Sequence, residues 1–117
     1  MSLAEEKRQT CVSFEENLKK AVAEFLILRV LADRSCYIGE IAETIRTKSG
    51  ESLNIIFPYS AIYRLESFGF IEEQPKQIAP DGRRRQYFSI TDSGRARYEQ
   101  QLVAYRNFVN GIEKILA

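Results

Sequence analysis

The residues best suited to bind a charged partner are three consecutive arginines that follow a turn. Asp81-Gly82 is typical of a turn, because glycine tolerates a positive φ and the aspartate side chain bonds to its own backbone. Arg83, Arg84 and Arg85 come directly after it. A guanidinium group presents paired N–H donors that match the oxygens of a phosphate. The triplet therefore predicts contact with a polyanion, with a solvated surface run of charge as the alternative.

Basic charge is concentrated in the part of the chain that contains these arginines. The whole chain carries a net charge of only +1. Residues 76–97 hold six basic and two acidic side chains, whereas residues 1–75 hold nine basic and twelve acidic ones. One edge of the protein is therefore expected to be positive, as contact with nucleic-acid phosphates requires, and Lys76 is expected to belong to it.

The residue types that enzymes use for proton transfer are largely missing. The chain has no histidine, and so lacks the commonest general base and metal ligand. It also has no glycine-rich phosphate loop and no paired catalytic groups. Cys11 and Cys36 are far apart and form no Cys-x-x-Cys pair, which indicates reduced thiols, with a redox switch as the less favoured alternative. We therefore predict a protein that is not an enzyme and needs no cofactor or metal.

The arginines begin the second of two predicted strands. The side chains of residues 86–90 alternate in the period-two pattern of a half-buried strand. Residues 70–74 form the first strand, and the link over 76–82 is too long for a two-residue turn, which predicts a flexible tip. A hairpin with an arginine tip that follows a short helix is typical of the wing of a winged helix-turn-helix. Double-stranded DNA is therefore the first partner to consider.

Three helices are predicted before the wing. A Ser-x-x-Glu capping box at residues 13–16 predicts that the first helix begins near residue 14. A second helix of about ten residues begins near Ile38 and ends before Ser49-Gly50. The third has Pro58 at its first position and ends at Gly69.

The third predicted helix has one apolar and one polar face. The apolar face is formed by Ala61, Ile62, Leu65 and Phe68. The opposite face carries aromatic, hydroxyl and basic groups that suit contacts with phosphates and thymine methyl groups in a major groove. These candidate DNA-contacting residues are Tyr59, Ser60, Tyr63 and Arg64. An ordinary amphipathic surface is the alternative.

The last helix is predicted from about Asp92 to Leu116, with Thr91 as its N-cap. Its apolar residues recur at spacings of four and three, which predicts coiled-coil-like pairing with a second copy of the chain. The stripe consists of Tyr98, Leu102, Tyr105, Val109, Ile112 and Leu116. The first helix is apolar nearly all round over residues 25–31, and one small domain is not expected to cover it. Leu18, Val22 and Phe25 are therefore predicted to join the dimer interface.

The expected fold is mainly α with a small β-hairpin. The predicted divisions are an N-terminal extension over 1–13, a winged helix-turn-helix domain over 14–91 and a C-terminal dimerisation helix over 92–117. No apolar run approaches the roughly 20 residues that span a bilayer. The first ten residues are polar and charged, unlike a signal peptide. A cytoplasmic location without a membrane partner is expected.

Over residues 18–113 the chain resembles the PadR-like transcriptional regulators, especially the short branch with a single C-terminal helix. Residues 82–95 are similar to the family pattern Gly-Arg-x-Arg-x-Tyr-Tyr-x-Leu-Thr-x-x-Gly. Residues 59–71 resemble Leu-Tyr-Pro-Ala-Leu-x-x-Leu-x-x-x-Gly-Leu-Ile, with Pro58 and Ser60 as departures. The resemblance places Tyr59 at the tyrosine that usually faces DNA. It also makes Tyr37 a DNA-contact candidate, one step before the position of the usual Gly-Tyr that opens the second helix.

The resemblance also implies a ligand pocket between subunits. Counted from Thr91, Tyr105 falls where multidrug-responsive members of the short branch have a tryptophan that stacks on planar ligands. The implied pocket residues are Tyr98, Leu102, Tyr105 and Phe108, and the implied effector is a small planar aromatic molecule. Simple packing of these aromatic residues in a dimer seam is the alternative.

Two functions from different classes follow. The first is a homodimeric, ligand-modulated DNA-binding repressor. The second is a winged-helix protein-interaction module without strong DNA binding. The acidic excess of residues 1–75 and the single basic residue on the third helix favour the second function. Salt-dependent binding to duplex DNA separates the two.

Overall fold

Four helices and five short strands make up the described part of the chain in a computed structural model. The structure describes residues 3–55 and 59–117, with side chains from residue 13 onward. In chain order the elements are α1 (Leu3–Asp33), β1 (Cys36–Tyr37), α2 (Ile38–Lys48), α3 (Tyr59–Ser67), β2 (Ile71–Glu73), β3 (Gln77–Ile78), β4 (Arg84–Arg85), β5 (Tyr87–Ile90) and α4 (Asp92–Leu116). The predicted fold class, mainly α with a small antiparallel sheet, is confirmed.

The start of the first helix differs from the prediction. α1 begins at Leu3, so Ser13 lies inside the helix and is not its N-cap. Residues 4–9 are all good helix formers, and a helix that reaches residue 13 extends through them at little cost. The predicted bounds of α2 and α4 are confirmed. Pro58, expected at the first position of α3, and the side chain of Cys11 lie outside the described residues.

The sheet has a strand that the sequence did not predict. β1 pairs with β5, and β5 pairs with β2, in an antiparallel sheet of order β1-β5-β2. β3 and β4 form a separate ribbon in which Gln77 lies opposite Arg85. The second wing strand is therefore broken at Gln86, whose side-chain amide donates to the backbone oxygens of Gln74 and Tyr87. The link over 76–82, for which a flexible tip was expected, contributes β3.

The core forms around the second half of α1. Ile27 and Leu28 are 0% exposed, and α2, α3, α4 and β5 all contact this helix. The expectation that a second copy must cover this run is therefore wrong for Ile27, Leu28, Val30 and Leu31, which the chain's own elements bury, whereas Phe25 and Leu26 stay half-buried. The other buried apolar residues of this cluster include Leu31, Cys36, Ile41, Leu65, Ile71 and Phe88.

Phe68 does not belong to the buried face of α3, contrary to the prediction. α3 ends at Ser67, and Gly69 then turns the chain with a φ of +74°. Phe68 is therefore off the helix face that holds Ile62 and Leu65, and its side chain is 67% exposed. Its ring stacks on Phe70 at 5.9 Å between centroids.

Candidate nucleic-acid interface

The outward face of α3 carries two tyrosines one helical turn apart. Ala61, Ile62 and Leu65 fix the opposite face by packing into the core. Tyr59 and Tyr63 are 75% and 71% exposed. Large aromatic side chains this exposed gain nothing from the core, so a partner surface is the natural place for them.

Ser60 and Arg64 lie on the edge of α3 that faces α1. Both line a groove of about 580 Å³ together with Lys19 and Lys20 of α1. The Arg64 Nε atom is 3.3 Å from a carboxylate oxygen of Glu24. Arg64, the only basic residue of this helix, is therefore already paired. Its partner, Glu24, was not predicted from the sequence.

The tip of the wing presents two arginines to solvent. Gly82 has a φ of +82°, which favours glycine, and the Asp81 carboxylate accepts the backbone N–H of Arg83 at 3.0 Å. The predicted turn at Asp81-Gly82 is confirmed. Arg83 and Arg84 are exposed, as is Lys76 at the base of the ribbon.

Arg85 is held quite differently from its two neighbours. Its Nη2 atom donates to the Asp81 carboxylate at 2.7 Å. Its guanidinium carbon lies 5.1 Å from the centre of the Tyr37 ring. Tyr37 immediately precedes α2, is half-buried, and meets the edge of Tyr87 at 5.5 Å between centroids. Both candidates are thus engaged within the chain.

The Thr-x-x-Gly spacing joins α4 to the end of α3. The Thr91 hydroxyl accepts the Gly94 N–H at 3.1 Å, which confirms Thr91 as the N-cap, and donates to the Gly69 carbonyl at 2.6 Å. A Cβ atom at Gly94 would lie 2.0 Å from the Phe70 carbonyl oxygen. Position 94 must therefore be glycine for the helix to approach this turn so closely. The sequence showed the cap but not this contact.

The apolar stripe of α4 divides into a covered and an uncovered part. Tyr98 and Tyr105 pack on Phe25 of α1, at 5.6 and 5.4 Å between ring centroids. Phe25, Leu102, Tyr105 and Val109 line an open groove of about 570 Å³. Tyr98 and the exposed Phe108, which the resemblance also implied as pocket residues, do not line it. Four stripe residues are exposed: Tyr105, at 42% despite its contact with Phe25, and Val109, Ile112 and Leu116.

No helix in the described part of the chain is long and apolar enough to cross a membrane.

Comparisons with known proteins agree with this geometry. Residues 27–100 match the family described as Transcriptional regulator PadR-like family. The comparison with curated protein sequences found no match.

Among solved structures, the chain is similar to a transcriptional regulator from Clostridium thermocellum, with 29% identity and a TM-score of 0.74 over 84% of this chain and 96% of that one. It is also similar to a PadR family transcription regulator from Clostridium difficile, with 25% identity and a TM-score of 0.68 over 82% and 99% of the two chains. A PadR family transcriptional regulator from Eggerthella lenta has the same fold, with 21% identity and a TM-score of 0.71 over 98% and 94%.

Proposed function

We propose that this chain, which belongs to the PadR-like family of transcriptional regulators, is a homodimeric repressor that binds duplex DNA and is released by a planar aromatic ligand. The observation that carries the proposal is the pair of exposed surfaces on one winged helix-turn-helix. One is the tyrosine face of α3, and the other is the arginine turn of the wing. The major groove of B-DNA admits an α-helix, and the flanking phosphates attract basic side chains.

The two surfaces have different tasks in this proposal. Tyr59, Tyr63 and Ser60 contact base edges and phosphates from α3, and so contribute to sequence preference. Arg83, Arg84 and Lys76 contact the phosphate backbone, which gives affinity without sequence information. All three basic residues are exposed. Among the described residues they have no acidic partner, because the nearby Asp81 carboxylate is already bound to Arg85. Both observations support this division.

Uncovered apolar side chains support the dimer. Phe14 and Leu18 of α1 are exposed, and Val22 and Phe25 are half-buried next to the α4 groove. The exposed half of the α4 stripe continues this surface. A second copy related by a twofold axis would cover both helices at once, because the same patch then meets itself. Such a dimer would have two wings, one for each half of the DNA site.

The removal of two wing charges tests the DNA contact. Arg83→Ala combined with Arg84→Ala should weaken binding to every duplex similarly. It should also lower the salt dependence by about 0.9 for each lost phosphate contact. A matched control, Lys114→Ala, removes one exposed charge at the end of α4 and is compared with Arg83→Ala alone. If these two single substitutions changed the salt slope equally, the wing would not contact DNA.

The effector part of the proposal concerns the groove at Tyr105. Phe25, Leu102 and Tyr105 give it apolar and aromatic walls, which suit a planar aromatic molecule, and Arg106, Asn110 and Glu113 also line it. In a dimer two such grooves would lie near the twofold axis. A ligand there would change the angle between the wings and hence the half-site spacing that the dimer fits.

Titration with a planar cationic dye tests this effector site. Binding should quench tyrosine fluorescence and weaken the DNA complex, and Tyr105→Ala should abolish both effects. Tyr59→Ala, in α3 and outside the lining of this groove, should leave dye binding intact. If the Tyr105→Ala variant still binds the dye, the groove at Tyr105 is not a ligand site and results only from packing.

One observation favours the second function, a protein-interaction module without strong DNA binding. Arg64, the only basic residue of α3, is paired with Glu24 and leaves the helix without a free positive charge. This function predicts no salt-dependent binding to any duplex, and association with a second protein through α3.

A further inference from the structure

The guanidinium group of Arg85 has only part of its donor capacity left for a phosphate. Nη2 is bound to Asp81, and Nε is buried without a hydrogen-bond partner among the described residues. The N–H groups that remain for an external acceptor are those of Nη1 and the second one of Nη2. A bidentate contact through the neighbouring Nε and Nη2 donors is closed, because Nε is buried and Nη2 already binds Asp81. The side chain is 34% exposed, in contrast to the open positions of Arg83 and Arg84.

Asp81 connects this guanidinium to the turn. One carboxylate oxygen accepts from Arg85, and the other accepts the backbone N–H of Arg83. The same two bonds, with that from Arg85 the stronger influence, lower the pKa of Asp81, so the carboxylate stays charged at neutral pH. A single side chain therefore fixes both the tip of the ribbon and the direction of Arg85.

The β3–β4 ribbon needs such support. Each strand has two residues, and an isolated hairpin this short is marginal in water. The break at Gln86 separates the ribbon from the three-stranded sheet. The stack of Arg85 on Tyr37 bridges that break, because Tyr37 belongs to β1 and immediately precedes α2.

We propose that Arg85 is a positioning residue, which together with Asp81 clamps the wing ribbon onto Tyr37 at the start of α2. The clamp fixes where Arg83 and Arg84 stand relative to the helix-turn-helix, and Arg85 itself is not a phosphate ligand. The inference rests on the DNA binding proposed above and assigns the third arginine of the triplet a task different from that of the first two.

Asp81→Asn distinguishes a positioning role of Arg85 from a phosphate-binding role, because the two roles predict opposite changes in DNA affinity. If Asp81 orients Arg85, the substitution loosens the ribbon and weakens DNA binding by about 3- to 10-fold per wing, as expected for the loss of one ion pair and its cation–π stack. If Arg85 is a phosphate ligand restrained by Asp81, the substitution frees it and tightens binding. Glu72→Gln, at an exposed position in β2, is the control for the loss of an exposed negative charge. Tighter binding by Asp81→Asn than by Glu72→Gln overturns the proposal.

Arg85→Lys gives a second, independent readout. Lysine keeps the charge but cannot reproduce the planar stack on Tyr37. The proposal predicts that Arg85→Lys binds DNA as weakly as Arg85→Ala while the salt slope stays within about 0.5 of the unsubstituted protein. Two results would contradict this prediction. One is that Arg85→Lys binds DNA as tightly as the unsubstituted protein. The other is that the salt slope of Arg85→Ala falls as far as that of Arg83→Ala.

Hydrogen exchange without DNA completes the test. The Ala79 N–H donates to the Arg83 carbonyl at 2.8 Å within the ribbon. Asp81→Asn and Arg85→Lys should speed exchange at Ala79 several-fold and leave the β2–β5 pairing protected. Unchanged exchange at Ala79 in both variants would contradict the proposed clamp. Failure of the unsubstituted protein to bind any duplex would instead contradict the proposed function and leave this exchange result to decide the clamp.

Discussion

At the residue scale, the arginines differ in whether an acidic side chain already pairs with the guanidinium group. Arg64 faces Glu24 and Arg85 faces Asp81, whereas Arg83 and Arg84 are exposed at the turn. The three arginines of the triplet have the same side chain and different surroundings. Free positive charge, rather than the number of basic residues, determines which of them can displace counterions from DNA.

Tyr59→Phe should weaken binding at the preferred DNA site. The lost hydroxyl contact is worth about 0.5–1.5 kcal/mol, or more if the bond is to a charged phosphate. Fluorescence anisotropy on the preferred duplex and on a scrambled one measures the effect, and Tyr105→Phe on α4 is the control. Equal weakening by both variants would show that the α3 face makes no direct contact.

Cys36 should react slowly with thiol reagents. Burial, followed by the Glu40 charge, raises the pKa of its thiol from 9.0 to about 11. The thiolate fraction at pH 8 is therefore about 100-fold lower than for a free cysteine. In a Cys11→Ser background, labelling with a chromogenic disulfide should be slow until denaturant is added. Fast labelling of the native protein would place Cys36 at an accessible surface.

The same shift gives a pH dependence of stability. The folded state holds the thiol proton more tightly than the unfolded state, so the stabilisation is complete below pH 9 and is lost as the pH rises through 11. The stability advantage of the protein over Cys36→Ala, measured by urea unfolding, should narrow between these two values. A difference that does not change with pH would contradict the shift.

At the element scale, the first turns of α4 connect three parts of the fold. The Thr91 cap binds the Gly69 carbonyl, Arg95 donates to the Ala32 carbonyl near the end of α1 at 3.2 Å, and Arg97 lies over the Phe70 ring at 5.6 Å. A displacement of α4 must therefore move the turn that follows α3. This junction would give a ligand in the proposed site near Tyr105 a physical route to α3, the helix proposed to contact DNA.

Gly94→Ala should destabilise the protein although alanine is the better helix former. The new Cβ would meet the backbone oxygen of Phe70, which cannot yield as a side-chain end can. Overpacking of this kind costs about 1–3 kcal/mol. Gly111→Ala is the control on the same helix, because nothing lies within 4 Å of its Cβ, and it should stabilise by about 0.5–1 kcal/mol. Urea unfolding that ranks the two variants in the opposite order would contradict the close approach.

Sequence patterns predicted the elements with strong periodicity and missed contacts between elements. α4, its Thr91 cap and the buried face of α3 were predictable because each repeats or caps locally. β1 was not, since two residues cannot show an alternation. The coverage of Ile27 and Leu28 by the chain's own helices was not predictable either, because a hydrophobic run shows burial but not what provides it. The pairing of Arg85 with Asp81 depends on the ribbon's register, which only the folded chain shows.

At the scale of the whole molecule, the C-terminal half of α4 is the main uncovered apolar surface among the described residues. The exposed apolar side chains from Val103 onward also include Phe108, Val109, Ile112, Ile115 and Leu116. A patch of this composition is costly for a monomer and typical of an interaction surface.

Val109→Glu should therefore dissociate the proposed dimer. Burial of one unpaired polar group costs about 2 kcal/mol or more, which corresponds to at least about 30-fold in the dimer dissociation constant. Ala104→Glu, exposed on the other side of α4, adds the same charge and should leave association unchanged. Sedimentation velocity at micromolar concentrations separates the outcomes. A stable monomer before any substitution would contradict the dimer itself.

The most direct test of the central claim is the salt dependence of binding to the DNA upstream of the chain's own gene. Anisotropy titrations between about 50 and 200 mM salt give the slope of log affinity against log salt concentration. A dimer with two phosphate-contacting wings predicts a steep linear loss of affinity, with about 0.9 for each phosphate contacted. It also predicts tighter binding to this DNA than to a scrambled duplex. No binding at the lowest salt, or an affinity independent of salt, would contradict the account.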